Sequence, residues 1–424
     1  MIHTNIKRFR SSQTHNSYRG HDGWEYPIVA FIEDGYNQNV AYNQETILRW
    51  FPNEGAKSPV FRGDVSVDKL RGWIGNNCWP CEVNKTTGEL TYLNASNLAT
   101  NPNRENPEYL QMVEIRNVNV GFFQNESEGW REIRFNYDHG CPRGFHKWFA
   151  HPTWNNSKGC FTKLIGRYDI LPNADGTTID VCAGKAQSST AGEFKWSSDE
   201  MLKRIKATGT AIGKEGKLLA MTYWEQYVLS LLFCVYHKTF NAQSIYKGLV
   251  TGDNANGDMW VKGQTDSITT QTGELSDGGG YKFLHIENAV HGAQWLWGAG
   301  WTGNNSTNPT WYFMTFDDLK ANIEATLQQK NCDMAASYRD YPYNSTGSFI
   351  FDMDVLGVPI NNRGSSDTSG FYDSLYSNVL QDNRLAYFGG SSSSGNSAGC
   401  WAKNFNFSST DTDWGLRGRL TMLR

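Results

Sequence analysis

The sequence predicts an α+β fold in which a β-rich N-terminal part is followed by a part with two main helices and long loops. Period-2 alternation of apolar residues recurs between about residues 70 and 195, whereas helical spacing is confined to the middle of the chain. Strands, then two helices, then short strands and loops is an order typical of α+β architectures. Aromatic residues make up 14% of the 424 residues, which favours a loop-rich protein with an aromatic core.

The first two parts of the chain differ in pattern. Residues 1–65 show no sustained period, and we expect them to be an irregular attachment or oligomerisation segment that orders against a partner. Residues 66–195 are expected to form a β-rich domain. Its half-buried strands are predicted from alternation at 109–115, 117–123, 130–137 and 160–168.

Residues 196–424 contain the helical signals and form the third predicted unit. Ser197 and Ser198 precede a short amphipathic run and predict a capped helix. The clearest helix is predicted over 222–238, where one apolar face consists of Trp224, Val228, Leu231, Leu232 and Val235. Capping-box spacing predicts another helix from Thr315, with a buried stripe of Leu319, Ile323 and Leu327.

Composition excludes several classes of function. A net charge of -4 argues against nucleic-acid binding. The N-terminus carries charge with no apolar run after it, so no signal peptide is expected. Glu225 and Gln226 interrupt the most apolar stretch, so no membrane insertion is expected. Nucleophile-elbow, P-loop, dinucleotide and HExxH motifs are missing from the sequence, which therefore does not predict an enzyme.

Metal and redox chemistry are weakly indicated. Cys78 and Cys81 have thioredoxin-like spacing, but two ordinary reduced cysteines near a turn are favoured over a redox or metal site. The Asp253 to Asp258 stretch makes calcium possible, although a solvated turn is favoured because its spacing is not that of an EF-hand. No other cofactor is expected. The surrounding 251–280 is a long polar loop, which predicts a functional or disordered segment. Four scattered histidines are expected to be structural: His146, His151, His285 and His291.

The aromatic run containing Trp295, Trp297 and Trp301 has two interpretations. It could stack against sugars, or it could form the aromatic core of a loop-rich domain. We favour the core for Trp295 and Trp297, because a chain with few helices needs large buried side chains there.

The C-terminal segment carries the clearest functional pattern. Gly and Ser dominate 389–399, and a mixed aromatic and polar stretch follows to 413. Since structured residues follow at once, we predict a displayed loop pair anchored by Phe388 on one side and by 414–420 on the other. Phe388, Gly389, Gly390, Trp414 and Arg419 are expected anchors. The candidate contact residues are the interleaved Ser392, Ser393, Ser394, Asn396, Trp401, Lys403, Asn404, Asn406 and Asp413.

This closing segment resembles that of the C-type-lectin-like variable proteins of diversity-generating retroelements, which occur in phage tail and prophage proteins of gut bacteria and bind host receptors. The resemblance rests on the order of short motifs over about 75–420. They are 113–115, 144–154, 224–233, 241–244, Ile286-Glu-Asn288 with Gly292, Trp295 and Trp297, and then 387–391, 397–399 and 414–420. The sugar-binding calcium tripeptides of lectins are absent from the sequence, so the usual calcium-dependent sugar binding is not expected.

The resemblance implies a protein of the virion tail or fibre tip, made in the bacterial host cytoplasm. It implies a C-type-lectin-like domain at 196–424 that binds a host cell-surface glycan or protein receptor. Other tail proteins are expected partners, and a homo-oligomer, preferably a trimer, is expected. Two alternatives stay open. One is a copper oxidoreductase of the formylglycine-generating type, for which Cys332 and Cys400 are the late candidates. The other is a purely structural tail component.

Overall fold

The structure, a computed structural model, has a mixed α+β fold with mainly antiparallel sheets. In the described part of the chain, no helix has both the length and the apolar character needed to cross a membrane. The structure describes residues 17–19, 25–27, 45–50, 67–116, 118–125, 127–128, 130–136, 145–147, 162–173, 176–185, 197–238, 242–246, 261–275, 280–290, 294–302, 310–313, 328–331, 339–340, 374–377, 384–389, 399–400, 403–408 and 417–423.

The described residues include three α-helices: α1 (Val67–Asn77), α2 (Ser198–Ala211) and α3 (Tyr223–His237). Helices α2 and α3 confirm the sequence prediction. Helix α1 was not predicted, and the expectation of strands with turns from about residue 70 is wrong for the residues of this helix. Its buried side chains, Leu70, Trp73 and Ile74, have helical spacing. Glycine and asparagine, both poor helix formers, obscure that signal. The helix predicted from Thr315 lies outside the described residues.

The strands are short and numerous. They are β1 (Ser17–Arg19), β2 (Glu25–Pro27), β3 (Glu45–Trp50), β4 (Cys78–Asn84), β5 (Leu90–Tyr92), β6 (Tyr109–Arg116), β7 (Asn119–Asn125), β8 (Trp130–Asn136), β9 (Phe145–Lys147), β10 (Thr162–Gly166), β11 (Leu171–Pro172), β12 (Ile179–Asp180), β13 (Leu218–Ala220), β14 (Gly273–Glu274), β15 (Tyr281–Phe283), β16 (Ile286–Glu287), β17 (Gln294–Thr302), β18 (Thr310–Phe313), β19 (Gln328–Asn331), β20 (Arg339–Asp340), β21 (Ser374–Ser377), β22 (Arg384–Phe388), β23 (Lys403–Ser408) and β24 (Leu420–Leu423). Strands β6, β7, β8 and β10 confirm the four predicted from alternation.

Three larger sheets organise these strands. A six-stranded sheet has the order β13-β24-β10-β6-β4-β5, and a four-stranded sheet has the order β3-β8-β7-β9. A seven-stranded sheet has the order β19-β18-β17-β22-β23-β21-β20. The six-stranded sheet takes strands from both sides of the expected boundary between 195 and 196. Part of the first 65 residues also orders within this chain, because β3 pairs with β8.

The last strand, β24, occupies an interior position of the six-stranded sheet, between β13 and β10. β24 pairs antiparallel with β10 on one side, where Lys163 faces Leu423. On its other side it pairs antiparallel with β13, where Leu218 faces Met422. After the strands of the seven-stranded sheet, the polypeptide therefore returns to pair with β10.

Helix α3 is a buried central helix. Its predicted stripe is confirmed, since Val228, Leu231, Leu232 and Val235 are fully buried. Thr222 caps the N-terminus, because its Oγ1 accepts from the backbone N–H of Glu225 (3.2 Å), while Glu225 Oε2 accepts from the N–H of Thr222 (2.8 Å). The other oxygen of Glu225 forms a fully buried ion pair with Lys163 of β10. This pair joins the helix start to the sheet.

The tryptophans favoured for the core lie on one strand. Trp295, Trp297 and Trp301 all belong to β17, which lies against α3. Their side chains, and that of Trp224, are outside the structural description, so their burial stays a prediction. Cys78 and Cys81 lie on β4 rather than near a turn, and both are buried thiols.

Candidate functional site: the C-terminal segment and its buried anchor

The Gly/Ser-rich stretch begins and ends at a hydrogen-bonded pair of glycines. The backbone N–H of Gly399 donates to the carbonyl of Gly389 (3.2 Å), directly after β22. Phe388 and Gly389 are buried, as expected for anchors. The two flanks of 390–398 are therefore held together. Ser392, Ser393, Ser394 and Asn396 belong to 390–398 and lie outside the described residues.

Three other candidate residues, Lys403, Asn404 and Asn406, belong to strand β23. This strand pairs antiparallel with β22 and parallel with β21, so it has neighbours on both edges. The expectation of a displayed loop is wrong for 403–408. The alternation of Asn404 and Asn406 with two phenylalanines was the strand signal in the sequence. Trp401 and Asp413 lie outside the described residues.

The pairing of β22 with β17 and its pairing with β23 both shift register between Leu385 and Tyr387 of β22. Against β23, Leu385 faces Phe407 but Tyr387 faces Asn404, so β23 has one extra residue between these pairs. Against β17, Leu385 faces Gly300 and Tyr387 faces Trp295, so β17 also has extra residues there. Bulges bend a strand and change the direction of its side chains, and they are frequent beside functional sites. The candidate Asn406 lies within the irregular stretch of β23.

The far end of the segment is anchored through two buried arginines. Arg417 Nη1 donates to Asp169 Oδ2 (2.9 Å), and Arg419 Nη2 donates to Asp169 Oδ1 (2.8 Å). Arg419 also donates to the carbonyls of Gly166 (2.8 Å) and Glu287 (2.9 Å). Burial acts to raise the pKa of Asp169, but Arg419 and Arg417 outweigh it and hold that pKa below its ordinary value. This anchor fixes the approach to β24.

Glu287 organises the next layer of the anchor. Its carboxylate accepts hydrogen bonds from the N–H of Gly263 (3.0 and 3.1 Å) and from the N–H and hydroxyl of Thr265 (3.0 and 2.9 Å). These bonds cap the short 3-10 helix Gln264–Ser267. Burial nevertheless raises the pKa of Glu287. The neighbouring Asn288 accepts from the N–H of Tyr281 (3.1 Å), so both residues of the Glu-Asn motif stabilise the fold.

Asp266 completes the buried network. It forms an ion pair with Arg167 and accepts from the hydroxyl of Tyr168 (2.5 Å), while Arg104 Nη1 lies 3.8 Å away. No sequence pattern indicated this cluster, because 251–280 has no apolar period. The described part, 261–275, instead contributes charged groups to the interior. Burial of these charged groups is favourable only because oppositely charged or hydrogen-bonding side chains meet them in the folded protein. Those partners are distant in the sequence, so no local sequence pattern indicates them.

Lys262 is the exception within this network. It is buried, and its Nζ has no hydrogen-bond partner among the described residues. Burial, followed by the charge of Arg417, lowers the pKa of Lys262 to about 8. The other charged side chains of the cluster have ion-pair or hydrogen-bond partners, and all of them except the partly exposed Arg104 are buried. The cluster therefore positions the C-terminal segment rather than offering a surface to a substrate.

The thiols of Cys234 and Cys400 lie close together, directly after the Gly399 hydrogen bond to Gly389. Cys234 Sγ on α3 lies 3.7 Å from Cys400 Sγ, and both side chains are fully buried. The partner expected for Cys400, in the copper alternative, was Cys332, which lies outside the described residues. The proximity of Cys234 could not be read from the sequence, because 166 positions separate the two cysteines.

The remaining site predictions concern histidines and metals. His285 is buried, and burial lowers its pKa to about 3. His146 lies on β9, whereas His151, His291 and the possible calcium stretch lie outside the described residues. Within the ranges that the structure describes, no group of three or more His, Cys, Asp or Glu side chains is arranged to hold a metal.

Comparisons with known proteins add no family. No protein-family model matches the chain, and no curated protein is significantly similar to it.

Proposed function

We propose that the protein is a virion tail or fibre-tip protein that binds a host cell-surface receptor through the C-terminal segment of a C-type-lectin-like domain. The observation that carries the proposal is the Gly399 to Gly389 hydrogen bond, which joins the two flanks of 390–398. A polar segment whose two flanks are joined in this way tolerates changes of sequence between them. Loops on rigid scaffolds are where binding residues concentrate.

Three further features support this arrangement. Residue 400 is tied to α3, since the hydroxyl of Ser230 donates to the carbonyl of Cys400 (3.0 Å). The segment ends at the Asp169 ion pairs of Arg417 and Arg419. The register irregularity of β23 against β22 falls between these two attachment points in the sequence. Serine and asparagine in such a segment, with Trp401 and Lys403 beyond it, suit contact with a glycan or protein.

The topology is also compatible with the proposed domain. The closing strand β24 returns between β10 and β13, so the two ends of this part of the chain meet in one sheet. The strands that carry the candidate residues lie in a separate sheet between these ends. The irregular N-terminal residues would then join other tail proteins, and a trimer of this chain would present three such segments.

The test separates binding from stability. Ser392, Ser393, Ser394 and Asn396 are changed together to alanine, and a second variant combines Trp401→Ala, Lys403→Ala and Asn404→Ala. The matched control changes Lys203 and Lys206, exposed on α2, to alanine. We expect the loop variant to melt like the unchanged protein and to bind host cells at least thirtyfold more weakly, which corresponds to about 2 kcal/mol.

One outcome contradicts the proposal, and another would invalidate the assay. Full attachment of both site variants to host cells would exclude the segment as the receptor surface. Loss of attachment in the α2 control would show that the assay responds to general damage. If the site variants bind normally and isolated virions fall apart, the structural tail component is the better interpretation.

A copper oxidoreductase is the second candidate, because Cys234 and Cys400 form a thiol pair. Both sulfurs are fully buried, which leaves no described path for a peptide substrate to reach them. Turnover of a cysteine-containing peptide with added copper, lost in Cys400→Ser, would favour this candidate over receptor binding.

A further inference from the structure

Cys234 and Cys400 are brought together by the fold alone. Cys234 lies in the second half of α3, and Cys400 lies just before the candidate residue Trp401. The two Sγ atoms are 3.7 Å apart although 166 positions separate them in the sequence. Both side chains have 0% exposure.

A separate contact holds the backbone of Cys400 against the same helix face. The hydroxyl of Ser230 donates to the carbonyl of Cys400 (3.0 Å). Ser230 precedes Cys234 by four residues, one helical turn, so both side chains share one face of α3. Two neighbouring positions on this face therefore contact Cys400. A disulfide bond requires the two sulfurs to approach from 3.7 Å to ~2.05 Å.

The other described cysteines lack this arrangement. Cys78 and Cys81 are three positions apart on β4, so their side chains point to opposite faces of the sheet. Burial raises the pKa of Cys182 to about 11, which suppresses its reactive thiolate. Among the described cysteines, Cys234 and Cys400 are the pair arranged for joining.

The surroundings favour a disulfide over a bound soft metal ion. A metal held by two cysteines requires two buried thiolates, whose loss of hydration is costly. A disulfide carries no charge, so its burial incurs no such cost. The neutral cross-link therefore fits a fully buried pair better.

We propose that Cys234 and Cys400 form an oxidative modification site, which closes to a disulfide in the presence of a small-molecule disulfide such as oxidised glutathione. One cysteine thiolate attacks a glutathione sulfur and expels glutathione thiolate, which takes up the proton that the cysteine lost. The second thiolate then attacks the mixed disulfide in the same way. In sum, two protein thiols and one glutathione disulfide become one protein disulfide and two glutathione thiols.

The cross-link would tie the C-terminal segment covalently to the central helix. Because both sulfurs are buried, the oxidant reaches them only when the 399–400 turn opens. The rate of closure would then report how often this turn leaves α3. If the proposed function also holds, the reduced form is made in the cytoplasm, and the cross-linked form persists outside the cell, where disulfides are stable.

The test uses the full-length protein, incubated with oxidised glutathione or with a phosphine reductant. Both samples are then denatured, alkylated with iodoacetamide and examined by intact-mass and peptide mass spectrometry. Of the eight cysteines, we expect two fewer to be alkylated after oxidation, with the peptides of Cys234 and Cys400 joined. The oxidised form should melt roughly 5–10 °C higher, because a long loop is closed in the unfolded chain.

Matched variants assign the bond. Cys182→Ser should keep the cross-link, whereas Cys234→Ser and Cys400→Ser should each abolish it. Should these two variants fail to fold, the peptide map of the unchanged protein still identifies the partners. Full alkylation of Cys234 and Cys400 after oxidation, their linkage to another cysteine, or a lower melting temperature of the linked form would overturn the proposal. These readouts are masses and melting temperatures, so they stand apart from any receptor assay.

Discussion

Arg419 Nη2 lies 2.8 Å from Asp169 Oδ1, although 250 positions separate the two residues. The same guanidinium also donates to two backbone carbonyls, one of Gly166 and one of Glu287. This single side chain therefore joins the end of β10, strand β16 and the approach to β24. Arg417 binds the other carboxylate oxygen of Asp169. Together the two arginines fix the position at which the C-terminal segment enters the six-stranded sheet.

Removing the charge of Asp169 should destabilise the protein strongly. In Asp169→Asn, Arg417 and Arg419 remain buried without their counter-charge, and breaking one side of a buried ion pair typically costs about 3–5 kcal/mol. Urea unfolding at pH 7 measures the change. Glu105→Gln is the control, because it removes the partner of Arg104 in a solvent-exposed pair. That change should stay within about 0.5 kcal/mol. A loss below about 1 kcal/mol in Asp169→Asn would show that water already screens this pair.

The Lys163–Glu225 pair should reveal the difference between removing one charge and removing both. Glu225→Gln keeps a side chain suited to the capping box but leaves the Lys163 ammonium buried without its counter-charge. We expect a loss of about 3–5 kcal/mol. Adding Lys163→Met should recover most of it, because no buried charge is then left. Chemical unfolding of the two single variants and the double variant measures the coupling. If the losses of the two single variants simply add in the double variant, the two side chains are not coupled, which would contradict a buried ion pair.

Two glycine-to-alanine changes should have opposite effects. A Cβ at Gly418, between the two anchoring arginines, would lie 2.0 Å from Met201 Sδ, so Gly418→Ala forces the buried Met201 side chain or the anchor to move. Gly72 is exposed on α1, and a Cβ there meets nothing within 4 Å. We expect Gly418→Ala to lower the melting temperature clearly. Gly72→Ala should raise stability by up to about 1 kcal/mol through helix propensity. Thermal unfolding of both variants is the measurement, and equal shifts would refute the close packing at Gly418.

Stability should fall as the pH drops from about 6.5 to about 4. Burial, followed by Lys282 and Arg167, lowers the pKa of His285 to about 3, and burial with Arg71 lowers that of His237 to about 4. Both pKa values are lower in the folded state than the ordinary 6.5, so in this window the unfolded chain binds more protons. Each histidine that is protonated only in the unfolded chain then lowers the free energy of unfolding by about 1.4 kcal/mol for each unit that the pH falls.

The variant His285→Asn isolates this effect. Asparagine tolerates the positive φ of 63° at this position and does not titrate. Urea unfolding at pH 7.0, 6.0 and 5.0 should show a shallower loss of stability in the variant than in the unchanged protein. Glu287 acts in the opposite direction, because its raised pKa lets the folded state bind a proton first, but it is present in both proteins. Parallel pH profiles would mean that His285 is protonated equally in both states.

Local patterns predicted the elements whose signals are periodic. The apolar stripe of Val228, Leu231 and Val235 predicted α3, and alternation predicted β6, β7, β8 and β10. The same principle would have found β23, where phenylalanines alternate with Asn404 and Asn406, but the neighbouring Gly/Ser stretch favoured a loop. Helix α1 was missed because its glycines and asparagines weaken the helical signal around Trp73.

The sequence by itself determined the α+β class, the start and end of α3, and the composition of the C-terminal segment, because these depend on residues that are neighbours in the chain. Only the tertiary structure decided which distant residues meet. It placed Asp169 against Arg419 and Cys234 against Cys400, and it buried Lys262 and Asp266 from a stretch that was expected to be a long polar loop. The physical reason is that burial of a charge or a thiol depends on partners that here lie 99 to 250 positions away, and a local pattern contains no record of those partners.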